Sequence, residues 1–210
     1  MKKYVTTLLL LCSLSLSAQM TDSTLFAAYQ REDMRVWKEY LESFNFPCGV
    51  SRSTELSTFN LLYAYGYCGY IVSEARKDGQ DALLPEAKRY VEQFKSEIIN
   101  QKSKLPAGHY EMYMSAVYVF ELRLHESFHP VKAMDLAKQA TKLAPNDPLV
   151  LSYYGTSLFY APKPFGSKEE ALAWFEKAQA RFGGDEWKYC WMREANEMYI
   201  RQCQEKLKKD

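Results

Sequence analysis

PVKAMDLAKQATKLAPNDPLVLSYYGTSLFYAPKPFGSKEEALAWFEKAQARF runs from Pro130 to Phe182, and its reading decides the fold. It reads helix, sharp turn, helix, long turn, helix. Ala133, Leu136, Ala137 and Ala140 stand at offsets 0, 3, 4 and 7; Ala171, Trp174, Phe175 and Ala178 repeat those offsets 38 residues later. One apolar stripe at helical period is therefore written twice. Between the copies, Pro145 stops the first helix because its ring cannot continue an α-helix. Asn146 or Asp147 can cap the next helix, with Pro148 at its first position. That helix carries Leu151, Tyr154, Gly155 and Leu158, a small residue among large ones that lets a neighbouring helix approach. Ser167-Lys168-Glu169-Glu170 opens the closing helix with a Ser-x-x-Glu capping box.

The helix with Leu151, Tyr154-Gly155 and Leu158, followed by Ala171, Phe175 and Ala178 and preceded by a terminal Pro145, resembles the tetratricopeptide repeat. The resemblance is good over 114–183 and looser elsewhere. From the glycine to the second-helix alanine the family spans about 12 residues. Here Gly155 to Ala171 spans 16, with Ala161 to Gly166 inserted. Ala87, Tyr90, Val91 and Phe94 repeat the second-helix stripe further upstream, and small first-helix residues recur at Gly66, Ala116 and Gly155. The expectation is an all-α chain of three irregular, stacked antiparallel helical hairpins, with a C-terminal helix capping the last one. Each hairpin exposes apolar surface alone, so neighbours must stack.

Composition agrees with one such domain over 19–210. Hydrophobic residues make up 47% of the 210 and charged residues 25%, which excludes a disordered chain. The net charge is +1, and removing Lys2 and Lys3 with a leader makes it −1. Nucleic-acid partners demand a basic field that this chain lacks. Met1 to Ala18 reads as a secretory leader: Lys2 and Lys3, an apolar run from Val5 to Leu16, then a small-residue cleavage site. A lipid anchor at Cys12 is disfavoured by Leu10-Leu11 before it. No later segment has the about 18 apolar residues of a membrane span, so the expected location is periplasmic or secreted.

Taken in order, Thr21 to Phe44 reads as one helix with Leu25, Met34, Trp37, Tyr40 and Leu41 inward. Leu56 to Ala75 is the next, with Gly66 and Gly69 explained either by close packing or by a tyrosine-lined groove. Helices follow from Pro85 to Gln101 and from His109 to Ser127. Asp185 to Lys209 is the terminal helix, holding Cys190 and Cys203 too far apart to pair. For the four cysteines of the mature chain, a Cys48–Cys68 bridge and free buried thiols both stay open.

One motif suggests chemistry. His125-Glu126-Ser127-Phe128-His129 is H-E-x-x-H, in which two His on one helical face bind zinc and Glu activates water. Pro130 follows at once and pushes His129 out of the α region, so His125 and His129 should lie on either side of a turn. No catalytic residue, metal ligand or cofactor is assigned. The resemblance instead implies a binding scaffold for a protein or peptide, contacted through Tyr63, Tyr67, Tyr70, Tyr113, Val117, Thr156 and Phe159 on an inner face. A glycan or lipid fragment in the same aromatic groove is the alternative, and a zinc hydrolase stands third.

Overall fold

The computed structural model describes residues 22–44, 46, 58–126 and 129–208. The leader Met1–Ala18, Cys48 and the central Ser127-Phe128 of the H-E-x-x-H motif lie outside these residues. Among the described residues the chain is helical throughout, with no strand. In order the helices are α1 (Asp22–Gln30), α2 (Met34–Glu42), α3 (Thr58–Glu74), α4 (Leu84–Asn100) and α5 (His109–Arg123). Then come α6 (Pro130–Leu143), α7 (Pro148–Tyr160), α8 (Lys168–Gln179) and α9 (Trp191–Leu207).

Sequence neighbours pack as antiparallel hairpins, α3 on α4, α5 on α6 and α7 on α8, and first helices also touch each other, α3 with α5 and α5 with α7. Side chains spaced by the repeat length meet across that second contact. The Tyr153 hydroxyl donates to Ser115 Oγ at 2.8 Å, 38 residues earlier. His109 Nε2 lies 2.9 Å from Asp147 Oδ2, again 38 residues apart. Equivalent positions of α5 and α7 thus stand side by side, which is what a stacked repeat requires.

Local chemistry sets the boundaries. Asp147 caps α7, its carboxylate accepting from the backbone N–H of Leu149 and Val150. Ser167 Oγ accepts from the Glu170 N–H at 3.0 Å, half of the expected capping box. The second helices bury one stripe each: Ala87, Tyr90, Val91 and Phe94 on α4, and Ala171, Phe175 and Ala178 on α8. At Gly155, a Cβ would come within 2.8 Å of the Phe175 ring, so this glycine sets the α7–α8 spacing.

Two expected helices are shorter. The single helix expected over Thr21–Phe44 is broken into α1 and α2 at Glu32, whose φ is +57°. The Glu32 N–H donates to Tyr29 O and the Asp33 N–H to Ala28 O, the paired bonds that close a helix around one left-handed residue. The break leaves the inward set intact: Leu25, Met34, Trp37, Tyr40 and Leu41 are all buried. The terminal helix expected from Asp185 begins only at Trp191. Asp185–Trp187 is a 3₁₀ turn and Cys190 is the N-cap of α9, so Cys190 and Cys203 do not share a helical segment as expected. Cys68, Cys190 and Cys203 carry free thiols.

Candidate partner-binding surface

The inner face is built by α3, α5 and α7, and α9 lies along it. Asn196 Nδ2 donates to Phe175 O at 2.9 Å and to Gln179 Oε1 at 3.0 Å. Further along, Tyr199 stacks on Phe175 with ring centroids 5.2 Å apart. Helix α9 therefore runs antiparallel to α8, as the first helix of a fourth unit would. The Tyr160 and Tyr199 hydroxyls, 39 residues apart, meet at 3.3 Å, continuing the repeat register.

The N-terminal end of α9 reaches back to the start of the chain. The Trp191 ring lies 5.8 Å from Tyr29, 5.7 Å from Trp37 and 5.7 Å from Tyr65. A Cβ on Gly66 would meet Trp37 at 2.5 Å and Trp191 at 3.0 Å. Tyr65 is the hub of this closure, within 6.2 Å of Tyr113, 6.1 Å of Phe120 and 5.9 Å of Tyr153. Burial pushes the Tyr153 hydroxyl up to about 12, which keeps it a neutral donor to Ser115.

Five of the seven sequence-predicted contact residues are packing residues in this arrangement. Tyr63, Tyr67, Tyr113, Val117 and Phe159 are each at most 3% exposed. Tyr63 packs edge-on to Trp37 at 5.1 Å, and Tyr67 lies 4.8 Å from Tyr90. That stripe of α3 faces α2 and α4, while the inner face is carried by Tyr65 and Gly66, which the sequence reading did not single out as contacts. The close approach needed at Gly66 was the available signal, because it marks the side of α3 that another element meets. Tyr70 is exposed and Thr156 half-buried, but they stand on different helices and no contact brings them together.

The H-E-x-x-H histidines are held apart by a helix end. His125 has φ +57°, its N–H donates to Leu122 O, and the Glu126 N–H donates to Glu121 O. The same paired closure as at Glu32 ends α5, so His125 is past the helix rather than on it. His129 is the N-cap of α6, with Pro130 behind it, and its ring lies edge-on to Tyr118. Glu126 pairs with Lys88 at 3.2 Å. Among the described residues no three His, Cys, Asp or Glu side chains gather as a metal site.

The face with the most chemistry left over is at the C-terminal ends of α7 and α9. Phe159, Tyr160 and Tyr199 form a ring cluster, with centroids 5.1 Å, 5.4 Å and 6.0 Å apart. Tyr160 is 68% exposed, and Phe165 on the following turn is 59% exposed. The Lys168 and Lys206 ammoniums lie 3.8 Å and 4.6 Å from the Phe159 ring centroid. Lys168 also donates to the Phe159 carbonyl, one of the last in α7. Burial, and then the charge of Lys206, hold the Lys168 ammonium below the ordinary lysine range.

Comparisons with protein-family models, with curated proteins and with solved structures found no match to this chain.

Proposed function

We propose that this chain is an exported, non-catalytic scaffold of tetratricopeptide-like hairpins that binds a protein or peptide partner. The observation that carries the reading is the exposed Tyr160 beside the Phe159 ring that Lys168 and Lys206 cover, with exposed Phe165 on the turn after α7, on a face held by three packed helices. Exposed aromatic side chains on a rigid support are the usual anchors of a protein interface. The partner surface is thus the end of α7 and α9 rather than the inner row of tyrosines. The glycan or lipid-fragment reading has less support, because the tyrosines it relies on are core residues. The zinc-hydrolase reading has less again, because the two histidines do not share a helical face.

The test is crosslinking capture of the tagged protein in its native cell envelope, beside a Tyr160→Ala/Phe165→Ala double variant. The expected result is one dominant protein that the double variant fails to capture. Equal capture by both would move the interface elsewhere. N-terminal sequencing of the same sample tests export: the mature chain is expected to start at Gln19, after removal of Met1–Ala18.

A further inference from the structure

The α7–α9 end face brings two lysines onto one ring. Lys168 and Lys206 both close on the Phe159 ring, so their charges lie within a Debye length, about 10 Å at 0.1 M salt. Three lysines elsewhere find carboxylates: Lys38 with Glu86 at 2.7 Å, Lys88 with Glu126 at 3.2 Å, Lys95 with Glu121 at 2.7 Å. Lys102, Lys132, Lys177 and Lys188 each lie singly over an aromatic ring, whereas Lys168 and Lys206 share one. Lys168 is moreover fixed in place by its bond to the Phe159 carbonyl, so the repulsion is not relieved by swinging away. A like-charged group held over an aromatic ring, with exposed rings beside it, is complementary to an anion attached to an apolar body.

We propose that this face binds an acidic peptide segment, a carboxylate seating between Lys168 and Lys206 and a neighbouring apolar residue of the peptide packing on Tyr160. The proposal rests on the scaffold reading above and names the chemistry of its partner. Two cations fall short of the about four to eight that bring a protein to an anionic membrane. They also fall short of the basic stripe that a nucleic-acid backbone needs. The exposed aromatic side chains supply the apolar contact that a peptide offers and a free phosphate does not.

The experiment is a fluorescence-anisotropy titration of the full-length mature protein with fluorescein-labelled hexaglutamate ending in a Phe residue. The same sequence with Gln in place of Glu is the control. Binding of the Glu peptide at least about tenfold tighter than the Gln peptide is expected, the worth of one to two charge-assisted hydrogen bonds. Lys206→Glu should abolish that preference while Lys206→Arg retains it. Lys206→Glu should also leave the melting temperature unchanged or raised, since it places an anion beside Lys168. Equal affinity for the two peptides, or a preference untouched by Lys206→Glu, overturns the proposal. So does tighter binding to vesicles of one part phosphatidylglycerol and three parts phosphatidylcholine than to the Glu peptide. If the peptide preference fails while Tyr160→Ala/Phe165→Ala still loses its captured protein, the acidic-partner inference is wrong and the scaffold reading stands.

Discussion

At the residue scale, two glycines of α3 look alike in sequence and differ in what surrounds them. A methyl group on Gly66 would run into the buried Trp37 ring, while one on Gly69 meets nothing closer than Phe120 at 3.8 Å. Gly66→Ala is therefore expected to destabilise by about 1–3 kcal/mol through overpacking. Gly69→Ala should be neutral or stabilising by up to about 1 kcal/mol through helix propensity. Urea unfolding of both variants checks the pair, and equal effects would remove the packing argument. His125 supplies a second case. A non-glycine residue in the left-handed region costs about 1–2 kcal/mol, partly offset by the extra chain entropy of glycine when unfolded. His125→Gly should thus stabilise by about 0.5–1 kcal/mol, measured as a shifted urea midpoint. A loss of stability would mean that the imidazole makes contacts that outweigh its backbone strain.

At the element scale, the second helices were legible and the first helices only partly. Helices α4, α6 and α8 bury one face each, so period alone gave their inward residues. Helix α7 buries every residue from Pro148 to Gly155, and α3 buries Leu61 to Ala64, Tyr67, Cys68, Ile71 and Val72. A helix apolar on all sides has no stripe to read, so period alone does not tell that Tyr63 and Tyr67 pack against α2 and α4. The start of α7 offers a test of how one element holds the next. Burial alone would raise the Asp147 carboxyl, but the hydrogen bond and charge of His109, with the N–H groups of Val150 and Leu149, outweigh it and hold it below the usual carboxylate range. A lowered folded value means that the charged carboxylate adds stability above its unfolded value, about 3.9. That stability is lost as pH falls through the folded value. Asp147→Asn keeps a capping side chain and removes the charge. It should cost about 1–2 kcal/mol near neutral pH, with the gap to wild type closing below about pH 4. A pH-independent gap in chemical unfolding would leave capping geometry, not charge, as the source.

At the scale of the whole molecule, α9 changes how the repeats behave. An open stack of hairpins is close to a one-dimensional chain whose ends unfold independently. Here Trp191 joins the last helix to α1, α2 and α3 through Tyr29, Trp37 and Tyr65. The first and last units are thereby coupled, and the protein should unfold as one cooperative unit. Native-state hydrogen exchange is expected to give α3 and α9 the same opening free energy. Trp191→Ala should cost about 2–3 kcal/mol, below the full-burial range because the ring is only half-buried, and should separate the two openings. Persistence of a common opening in that variant would show that α8 alone holds α9.

The repeated apolar stripe, the prolines and the capping residues determined by themselves that the chain folds into stacked hairpins, because those signals act within one or two helical turns. The helix break at Glu32 is not legible in the sequence, and although Pro130 marks a turn after His125, the left-handed residue at which the helix closes is not. Each rests on a left-handed conformation at a residue type that rarely adopts it, and no local signal marks it. The closure of the inner face was decided only in the tertiary structure. It depends on where the stacked hairpins bring Trp191, a distance set by the sum of all the packing contacts between. Tertiary packing likewise brings Lys206 of α9 onto the Phe159 ring that Lys168 covers, a meeting of helices that are neighbours only after folding.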